Sequence, residues 1–513
     1  MVSSVVAGLG SLVATYVFLR LLLALTQDDN EPKALATSIP FLSPLLGMAR
    51  KGQFYIDLRD KHHLPIYTLR LPGSRIYVVN ATDLIPVVQR QVRVLDFAPV
   101  ETRAVINVLG ATPAGKEILN LEREGVGKHA YAIEFDKAIH GAVTPGVHLD
   151  AMNRLAVRQV SQILNNLATK QHQTLKLYDW VRKEISRATT DAVYGPENPF
   201  KQPGILEAFG AFEPGIVTLL LGLPSMFAKE SVQGREIFVK AFMTYFGNGH
   251  HEKGSELVRS RFKHSADYNV SIEDTARFEL GGSVAILTNT IPSAFWVLWH
   301  IVSDPEILEE CRSELQSLCK IDDKSVTIDI TDVKASCPLL LSTLQEVLRF
   351  HGTGISVRIV QEDHLLDGKY LLKKGGTLMI PGPIQHSEPQ VYGDSVDEFN
   401  HKRFIRTSGK RLNPIGFRGF GGGSTLCPGR HFASTEIIAF AALMVLRFDI
   451  QPKSSTWVRP TTKRAGMQAT VPPPDDDIDV IITPRKDALA GKQWNVVLTG
   501  SDKGVPIVAE DAS

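Results

Sequence analysis

The sequence predicts a mainly α fold with small β-sheets, of the α+β class, preceded by a membrane-spanning helix. Three observations support this. Most segments in residues 117–348 have helical length and period, short β-type runs lie near both ends of the body, and one long apolar run stands near the N-terminus. With 513 residues, of which 43% are hydrophobic and 22% charged, the chain is able to bury a large core.

The charge balance and the cysteine count argue against two classes of protein. Lys and Arg number 56 and Asp and Glu number 55, so the net charge of +1 provides no field for general nucleic-acid binding. The cysteines are too few for a disulfide scaffold in a chain of this length, which favours reduced thiols and a cytosolic catalytic body. They are Cys311, Cys319, Cys337 and Cys427.

The N-terminal segment is predicted to be a retained membrane anchor. Residues 5–25 are apolar apart from Arg20, and about 21 residues at about 1.5 Å each cross a bilayer core. A cleaved signal peptide is the alternative, but no basic region precedes the apolar run and no small-x-small signal closes it. Acidic residues flank the run, and Lys33, Arg50 and Lys51 farther along favour a cytosolic body. We therefore expect residues 1–32 to form the anchor and the start of a linker.

The body, residues 33–490, is predicted to be one helix-dominated domain with small sheets. IYTLRL and RIYVVN are expected to form a strand pair turned by Pro72-Gly73. Further strands are predicted in KYLLKKGGTLMIPG and in DIDVIIT. Residues 491–513 show no clear pattern and are expected to be a loose C-terminal tail.

The most specific signal in the sequence is FGGGSTLCPGR, in which Phe420, Gly423, Cys427 and Gly429 follow the spacing F-x-x-G-x-x-x-C-x-G. From this chain's composition, that spacing arises by chance roughly once in a thousand chains of this length. Glycines, Gly421 among them, let backbone N–H groups and a flat metal-bearing cofactor approach a thiolate closely. The next helix directs its positive end at the anion. Phe420 beside the sulfur would keep water away from it.

Other interpretations of this loop fit less well. A buried cysteine in a glycine-rich turn is the common case for a lone cysteine, but it does not require the full spacing. A zinc site lacks a second cysteine or a histidine cluster at ligand spacing, since His431 is isolated. A phosphate-binding loop would continue into Lys-Ser or Lys-Thr or would open a βαβ unit, and this loop does neither.

The loop resembles the haem-binding loop of the cytochrome P450 superfamily, and the resemblance extends over nearly the whole chain. It implies the cytochrome P450 fold, a haem-thiolate catalytic domain in residues 33–490, haem b (iron protoporphyrin IX), and Cys427 as the axial ligand of the iron. It also implies electrons from NADPH by way of NADPH–cytochrome P450 reductase. Thr425 stands where the family commonly has an Arg or His that contacts a haem propionate. Arg358 resembles the family's propionate-binding arginine, with an exposed strand arginine as the alternative.

Glu346 and Arg349 match the family's E-x-x-R pair, and FNHKRF, which contains Arg403, looks like the loop that supplies its second arginine. The helix around this tetrad is apolar on its other faces. We therefore predict a buried structural triad of Glu346, Arg349 and Arg403, which is stable only if each charge is satisfied. Other E-x-x-R tetrads are expected to be solvated helix pairs. They begin at Glu184, Glu256 and Glu309.

The segment GGSVAILTNTIPSAFWVLWH has no formal charge and is apolar all round, which indicates a transmembrane helix or a central buried one. Because Pro292 lacks an N–H, the carbonyl of Thr288 loses its helical partner and a kink is predicted. Thr290 matches the family's oxygen-side threonine, and Asn289 stands where an Asp or Glu is usual. Both are therefore candidate catalytic residues for proton delivery with ordered water. The alternatives are structural: Thr290 back-bonds within the helix, and Asn289 fills the free carbonyl.

Two further segments bear on partners. GIVTLLLGLPSMFA is apolar but too short to span a bilayer, and it is interpreted either as a core helix or as a monotopic patch that dips into lipid. Basic residues around the ligating loop either form a solvated loop or steer an acidic reductase to the iron. These are Arg406, Lys410, Arg411, Arg418 and Arg430.

The resemblance implies a haem-thiolate monooxygenase that inserts one oxygen atom of O2 into a lipophilic substrate. NTIPSAFWVLWH is similar to the branch of sterol 7α-hydroxylases and prostacyclin synthase, and fungal secondary-metabolite members share such segments. A terpenoid, a sterol or a polyketide–terpenoid is expected as the substrate, and the protein is expected to be a single-pass protein of the endoplasmic reticulum with a cytosolic catalytic domain. The alternatives are a haem-thiolate isomerase or dehydratase that acts on a peroxide without a reductase, and a haem-free lipid-binding membrane protein.

Overall fold

The computed structural model describes residues 2–35, 38–405, 412–487, 489–502, 506–508 and 511. The α-helices are α1 Val2–Thr26, α2 Ser43–Met48, α3 Gly52–His62, α4 Leu84–Arg90, α5 Ala98–Asn107, α6 Pro113–Leu119, α7 Ala130–Val143, α8 Val147–Ala168, α9 Leu177–Tyr194, α10 Ile205–Phe212, α11 Ile216–Leu220, α12 Lys229–Gly247, α13 Glu256–Asp267, α14 Ile272–Leu287, α15 Thr290–Val302, α16 Pro305–Ser317, α17 Ile330–Ser336, α18 Pro338–Phe350, α19 Gly382–His386, α20 Pro389–Tyr392 and α21 Arg430–Arg447. Short 3₁₀ helices lie at Pro199–Lys201, Glu213–Gly215, Ser225–Ala228, His250–Lys253, Pro414–Gly416 and Gly423–Thr425.

The strands form small sheets among these helices, as the predicted α+β class requires. They are β1 Ile66–Leu71, β2 Ser74–Val79, β3 Leu95–Asp96, β4 Glu122–Arg123, β5 Gly127–Lys128, β6 Gln173–Lys176, β7 Lys320–Ile321, β8 Ser325–Asp329, β9 Ile355–Val360, β10 His364–Leu366, β11 Tyr370–Leu372, β12 Thr377–Pro381, β13 Phe448–Pro452, β14 Asp479–Pro484 and β15 Gln493–Val497. Five of them form one sheet in the order β1-β2-β12-β9-β3, and two sheets have three strands each, in the orders β13-β14-β6 and β15-β8-β7.

The predicted N-terminal strand pair is present. β1 and β2 pair antiparallel with Leu71 opposite Ser74. The turn between them contains Gly73 with φ of 68°, in the left-handed region that glycine adopts without steric cost. The sheet continues through β12, which runs parallel to β2, and the strands predicted in KYLLKKGGTLMIPG and DIDVIIT are also present.

The chain divides into two compact units. The first comprises Met1–Val100, Gly352–Asp397 and Leu412–Leu426, and the second comprises Glu101–His351, Glu398–Arg411 and Cys427–Ser513. The five-stranded sheet belongs to the first unit. In the second unit α21 is buried from its second residue to its last, apart from the half-buried Ala433, and packs on α8, α15, α16 and α17. A helix that is apolar on nearly all sides has to lie in such a core.

Within the described residues, two helical segments are long and apolar enough to cross a membrane. The window Leu9–Thr26 is 0% buried, whereas Ile272–Val302, which contains the uncharged segment, is 78% buried. Of the two interpretations of the uncharged segment, the central buried helix is therefore the one that the structure has. The N-terminal segment is a candidate membrane span. Arg75 and Arg70 donate to the carbonyl oxygen of Thr26 at 2.9 and 3.1 Å, at the end of α1 where cations are favoured.

The C-terminal residues differ from the loose tail expected for residues 491–513. Gln493–Val497 forms a strand that pairs in parallel with Ser325–Asp329, with Trp494 opposite Val326. Asp502, beyond this strand, is 5% exposed. The strand was not predicted because it is only five residues long and because its partner is far away in the chain.

Candidate functional site

The glycine-rich turn of the first unit depends on its glycines. Gly421 has φ of 78°, and a Cβ there would lie 2.3 Å from the carbonyl oxygen of Thr425. Gly423 has φ of 57°, and a Cβ there would lie 2.7 Å from the side chain of Gln89. Such contacts and such backbone angles exclude larger residues. The turn ends in the short 3₁₀ helix Gly423–Thr425, which Leu426 separates from Cys427.

Arg358, on β9 of the first unit, is 0% exposed and not the exposed strand residue of the alternative interpretation. Its guanidinium donates to the hydroxyl of Ser356 at 2.8 Å and to that of Thr425 at 3.3 Å. Its Nε has no hydrogen-bond partner, and among the described residues no carboxylate pairs with it. Burial, together with the charge of Arg418, lowers the pKa of Arg358 to about 10. A buried cation that lacks an anion is a site for one, because an unpaired buried charge is costly.

Sequence reasoning assigned Arg418 to a docking cluster, whereas the structure buries it. Arg418 is 7% exposed, and its backbone N–H donates to His386 Nε2 at 2.9 Å. Its charge adds to the positive potential at Arg358. Arg430 is 15% exposed and paired with Asp511, so neither side chain is a free surface charge. The other members of the proposed cluster lie outside the described residues; they are Arg406, Lys410 and Arg411.

Cys427 begins the second unit's part of the loop, three residues before α21. Its side chain is half-buried. The Arg430 guanidinium donates to the Cys427 carbonyl oxygen at 3.1 Å. Burial raises the pKa of the Cys427 thiol, while the Gly429 N–H and the Arg430 charge act in the opposite direction. A Cβ at Gly429 would meet no atom within 4 Å, so packing within the protein does not require a glycine there.

Glu346, Arg349 and Arg403 meet in the second unit as the E-x-x-R spacing predicts. Arg349 Nε lies 2.7 Å and Arg403 Nε lies 3.0 Å from the Glu346 carboxylate. That carboxylate, 0% exposed, also accepts the N–H of Asn400 at 2.9 Å. Both arginines donate to the carbonyl oxygen of Glu398, at 3.1 and 3.0 Å. Arg349 Nη2 also donates to the Glu346 carboxylate at 2.8 Å, so four N–H donors satisfy the buried group, which is the condition for a buried ion cluster to persist.

The other E-x-x-R tetrads behave as solvated or unrelated pairs. Glu256 and Arg259 form an exposed ion pair at 2.7 Å, and Glu184 and Arg187 lie 3.7 Å apart. Arg312 pairs with Asp449, not with the glutamate of its own tetrad. Of the four tetrads, the one at Glu346 forms the buried ion pair.

The uncharged core helix breaks where the sequence predicts a kink. α14 ends at Leu287 and α15 begins at Thr290, two residues before Pro292. Thr290 is 5% exposed, and no hydrogen bond of its hydroxyl occurs among the described residues. The side-chain oxygen of Asn289 accepts the N–H of Thr470 at 2.7 Å, and among the described residues no hydrogen bond joins its side-chain NH2 to the Thr288 carbonyl freed by Pro292. The amide thus holds a distant loop against the break in the helix.

Sequence reasoning missed one acidic group at this break. Glu213 accepts a hydrogen bond from the Thr288 hydroxyl at 2.7 Å. Burial raises the pKa of Glu213, and the Thr288 hydroxyl and the charge of Arg182 act against that shift. The two residues are 75 positions apart in the chain. No local pattern could have joined them.

These features fit the haem that the resemblance implies. A half-buried thiol lies three residues before the start of a helix, and the Gly429 N–H and the Arg430 charge act to lower its pKa, which favours the thiolate form that an axial ligand has. A buried arginine with an unpartnered Nε fits the carboxylate of a propionate. Cys427, Thr290 and the triad lie in the second unit, while Arg358, Phe420, Gly421 and Gly423 lie in the first.

Comparison with known proteins agrees with the geometry. The model of the cytochrome P450 family matches residues 282–479. The chain is 32% identical to the cytochrome P450 monooxygenase nodJ of Hypoxylon pulicicidum over 497 residues, which cover 94% of this chain and 95% of the relative. It is 27% identical to a cytochrome P450 monooxygenase of Gibberella zeae, with 92% of each chain covered. It is also 27% identical to the cholesterol 7-alpha-monooxygenase of Cricetulus griseus over 293 residues, 53% of this chain and 58% of the relative. The chain therefore belongs to the cytochrome P450 family and is a monooxygenase of that family.

Proposed function

We propose that the protein is a membrane-anchored haem-thiolate monooxygenase that inserts one oxygen atom of O2 into a C–H bond of a lipophilic substrate. The observation that carries the proposal is Cys427, which lies half-buried three residues before the buried helix α21, where the Gly429 N–H and the Arg430 charge act to lower the pKa of its thiol. A thiolate is the ligand form of cysteine, and hydrogen bonds and nearby positive charge favour it.

The residues that would hold haem b are Cys427, as the axial ligand, and Arg358, as the partner of a propionate. Ser356 and Thr425 contact Arg358 with their hydroxyls and so fix the direction of its guanidinium. Phe420, Gly421, Gly423 and Gly429 are proposed as the loop residues next to the cofactor. When bound, a thiolate-ligated haem supplies activation of dioxygen, with an electron push that favours O–O cleavage.

Thr290 is proposed to hold and pass a proton on the oxygen side. Its hydroxyl lies at the break between α14 and α15, where Pro292 removes one helical hydrogen bond. Asn289 is proposed as a supporting residue, since its side-chain oxygen is engaged by Thr470 and an amide does not shuttle protons at neutral pH.

Electrons are proposed to come from NADPH by way of NADPH–cytochrome P450 reductase. The cluster of basic residues around the Cys427 loop gives this partner little support, because Arg418 is buried and Arg430 pairs with Asp511. The membership of the chain in a family of monooxygenases remains the main support for a reductase.

The catalytic domain, residues 33–490, is proposed to rest on the cytosolic face of the endoplasmic reticulum, tethered by a single-pass anchor in residues 1–32. In the second unit, side chains of the segment GIVTLLLGLPSMFA are widely exposed: Leu221 by 70%, Met226 by 66% and Phe227 by 68%. Because such a concentration of exposed apolar side chains marks an interaction surface, we favour the monotopic patch over a core helix. A patch of this kind would take substrate from the bilayer.

For the substrate class we propose a terpenoid, a sterol or a polyketide–terpenoid, oxidised during secondary metabolism. The support is chemical and comparative. The exposed apolar patch suits a lipophilic compound, and the relatives include fungal monooxygenases and an enzyme named for cholesterol.

The proposal is tested with the purified full-length protein in lipid nanodiscs. The reduced, carbon-monoxide-treated protein is expected to show a thiolate-type Soret shift, which Cys427→Ser abolishes and Cys319→Ser, at a half-buried cysteine elsewhere, preserves. Lipophilic products are expected only with NADPH, reductase and O2 together. Turnover of a lipid hydroperoxide without these components would instead indicate an isomerase. The absence of the Soret shift in the wild type would indicate a haem-free protein. Metabolite comparison of cells with and without the gene identifies the product.

A further inference from the structure

Described residues after β15 contact α17 and the start of α21. The β15 strand is aligned with β8 over five residue pairs, from Gln493 with Ser325 to Val497 with Asp329. Beyond it, the Gly500 N–H donates to the Thr331 hydroxyl at 2.9 Å. Parallel pairing and this contact fix the direction of the chain as it approaches the helix.

Asp502 makes the first contact with α21 through a buried ion pair. Its carboxylate binds Lys334, whose side chain is 1% exposed, and Lys334 also donates to the Thr435 hydroxyl at 2.7 Å. The Asn153 amide donates to the same carboxylate at 3.3 Å. Thr435 lies on the second turn of α21 and donates to the carbonyl oxygen of His431 at 2.8 Å. The C-terminal segment thus bonds to a helix turn close to Cys427.

Asp511 makes the second contact, and a single residue, Arg430, links it to Cys427. Its Oδ1 accepts Arg430 Nε at 2.9 Å, and its Oδ2 accepts the N–H groups of Ile507 and Val508 at 2.9 and 3.0 Å. The same arginine donates through Nη1 to the Cys427 carbonyl oxygen at 3.1 Å. Among the described residues, Asp511 is the one carboxylate that forms an ion pair with Arg430. An arginine side chain held at two points loses its rotamers and becomes a rigid link.

We propose that the C-terminal residues 493–502, 506–508 and 511 are a positioning element of the cysteine site, in which Asp511 fixes Arg430 so that its guanidinium holds the backbone turn that carries Cys427. The inference rests on one part of the proposed function, namely that Cys427 is the axial ligand of the haem. Asp511 and Asp502 are positioning residues, since they act through Arg430, Lys334 and Thr435 and not on the reacting atoms.

The test compares Asp511→Ala with a matched change at the other end of the same helix. Arg312 donates to the Phe448 carbonyl oxygen just past α21 at 3.0 Å and pairs with Asp449 at 2.7 Å. Arg312 and Arg430 are about equally shielded, with 13% and 15% of their side chains exposed. Asp449→Ala therefore loosens Arg312, an arginine of α16 that holds the chain just past the C-terminal end of α21, far along the chain from Cys427.

Two measurements on the full-length protein read the turn itself. The first is hydrogen exchange of the peptide that spans residues 426–433, measured in the haem-free and the haem-loaded protein. The second is the rate at which haem passes from the protein to apomyoglobin. Asp511→Ala is expected to raise both the exchange rate of this peptide and the rate of haem transfer by about threefold to tenfold. This is the change in rate that corresponds to the free energy of one lost charge-assisted hydrogen bond. Asp511→Asn, which keeps one acceptor oxygen, is expected to fall between Asp511→Ala and the wild type.

Three outcomes would overturn the inference. They are unchanged exchange and haem transfer in Asp511→Ala, an equal increase in Asp449→Ala, and an Asp511→Asn variant no closer to the wild type than Asp511→Ala. A wild type without a thiolate-type Soret shift would refute the proposed function instead. In that case the exchange measurement on the haem-free protein still decides whether Asp511 positions the turn around Cys427.

Discussion

Two E-x-x-R tetrads of this chain form the same kind of ion pair, one buried and one exposed, so comparing them isolates the effect of burial. Glu346 with Arg349 and Glu256 with Arg259 both have an i,i+3 spacing and a nitrogen–oxygen distance of 2.7 Å. The first pair has 0% and 2% of its side chains exposed, and the second has 33% and 45%. We predict that Glu346→Gln lowers the free energy of unfolding far more than Glu256→Gln does.

The magnitude follows from the number of donors left behind. In Glu346→Gln, Arg349, Arg403 and the Asn400 N–H lose a buried carboxylate, and two guanidinium charges remain without their common partner. Removing one member of a buried ion pair costs about 3–5 kcal/mol. Removing one member of an exposed helix pair costs about 0.2–0.5 kcal/mol, because water replaces the lost partner.

The assay is chemical denaturation of the haem-loaded, detergent-solubilised protein, followed by tryptophan fluorescence and by the Soret band. With equal slopes, the shift in midpoint gives the difference in free energy of unfolding. Glu346→Gln is expected to shift the midpoint at least several times more than Glu256→Gln. Equal shifts in the two variants would refute the reasoning that burial, and not the tetrad itself, gives Glu346 its structural importance.

Three more predictions follow from the site and the core. Cys427→Ser is expected to abolish the thiolate-type Soret shift while expression stays near that of the wild type, because the half-buried sulfur contributes little to packing. Thr290→Ala is expected to consume NADPH without matching product and to release peroxide, because the proton donor on the oxygen side is lost. The buried Glu436, which accepts a hydrogen bond from Thr189, has its pKa raised by burial from 4.5 to about 8. Its protonated form therefore stabilises the fold below pH 4.5, and this contribution is lost as the pH rises through about 8. Glu436→Gln should thus gain stability relative to the wild type across that range, as measured by unfolding midpoints at several pH values.

A different result would contradict each of these three predictions. A Cys427→Ser protein that keeps the shift would remove the proposed iron ligand. A Thr290→Ala enzyme that stays fully coupled would show that the proton takes another route. A stability difference between Glu436→Gln and the wild type that does not vary with pH would show that Glu436 is ionised in both states.

Local patterns predicted the parts of the site whose residues are neighbours in sequence. The β1–β2 hairpin follows from alternating apolar residues around Pro72-Gly73, and the break before α15 follows from Pro292. The turn before Cys427 follows from its glycines, since Gly421 tolerates no side chain. In each case the controlling sterics act within a few residues.

Contacts between distant segments were not predicted. Asp502 reaches Lys334 over 168 positions, Arg430 reaches Asp511 over 81, and Glu213 reaches Thr288 over 75. Their side chains carry no periodic signal, so residues 491–513 resembled a loose tail. For the same reason Arg418 resembled a surface cation, although it is 7% exposed.

The order of residues alone established the chemistry available to this protein: a cysteine in a turn that only glycines can make, an uncharged helix interrupted at a proline, and an apolar run long enough for a bilayer. Folding assigned the environment of each charge. Glu346 and Glu256 belong to the same tetrad pattern, yet one is completely buried and the other is open to water. The physical reason is that backbone conformation depends on adjacent residues, whereas the desolvation of a charge depends on which remote segments cover it.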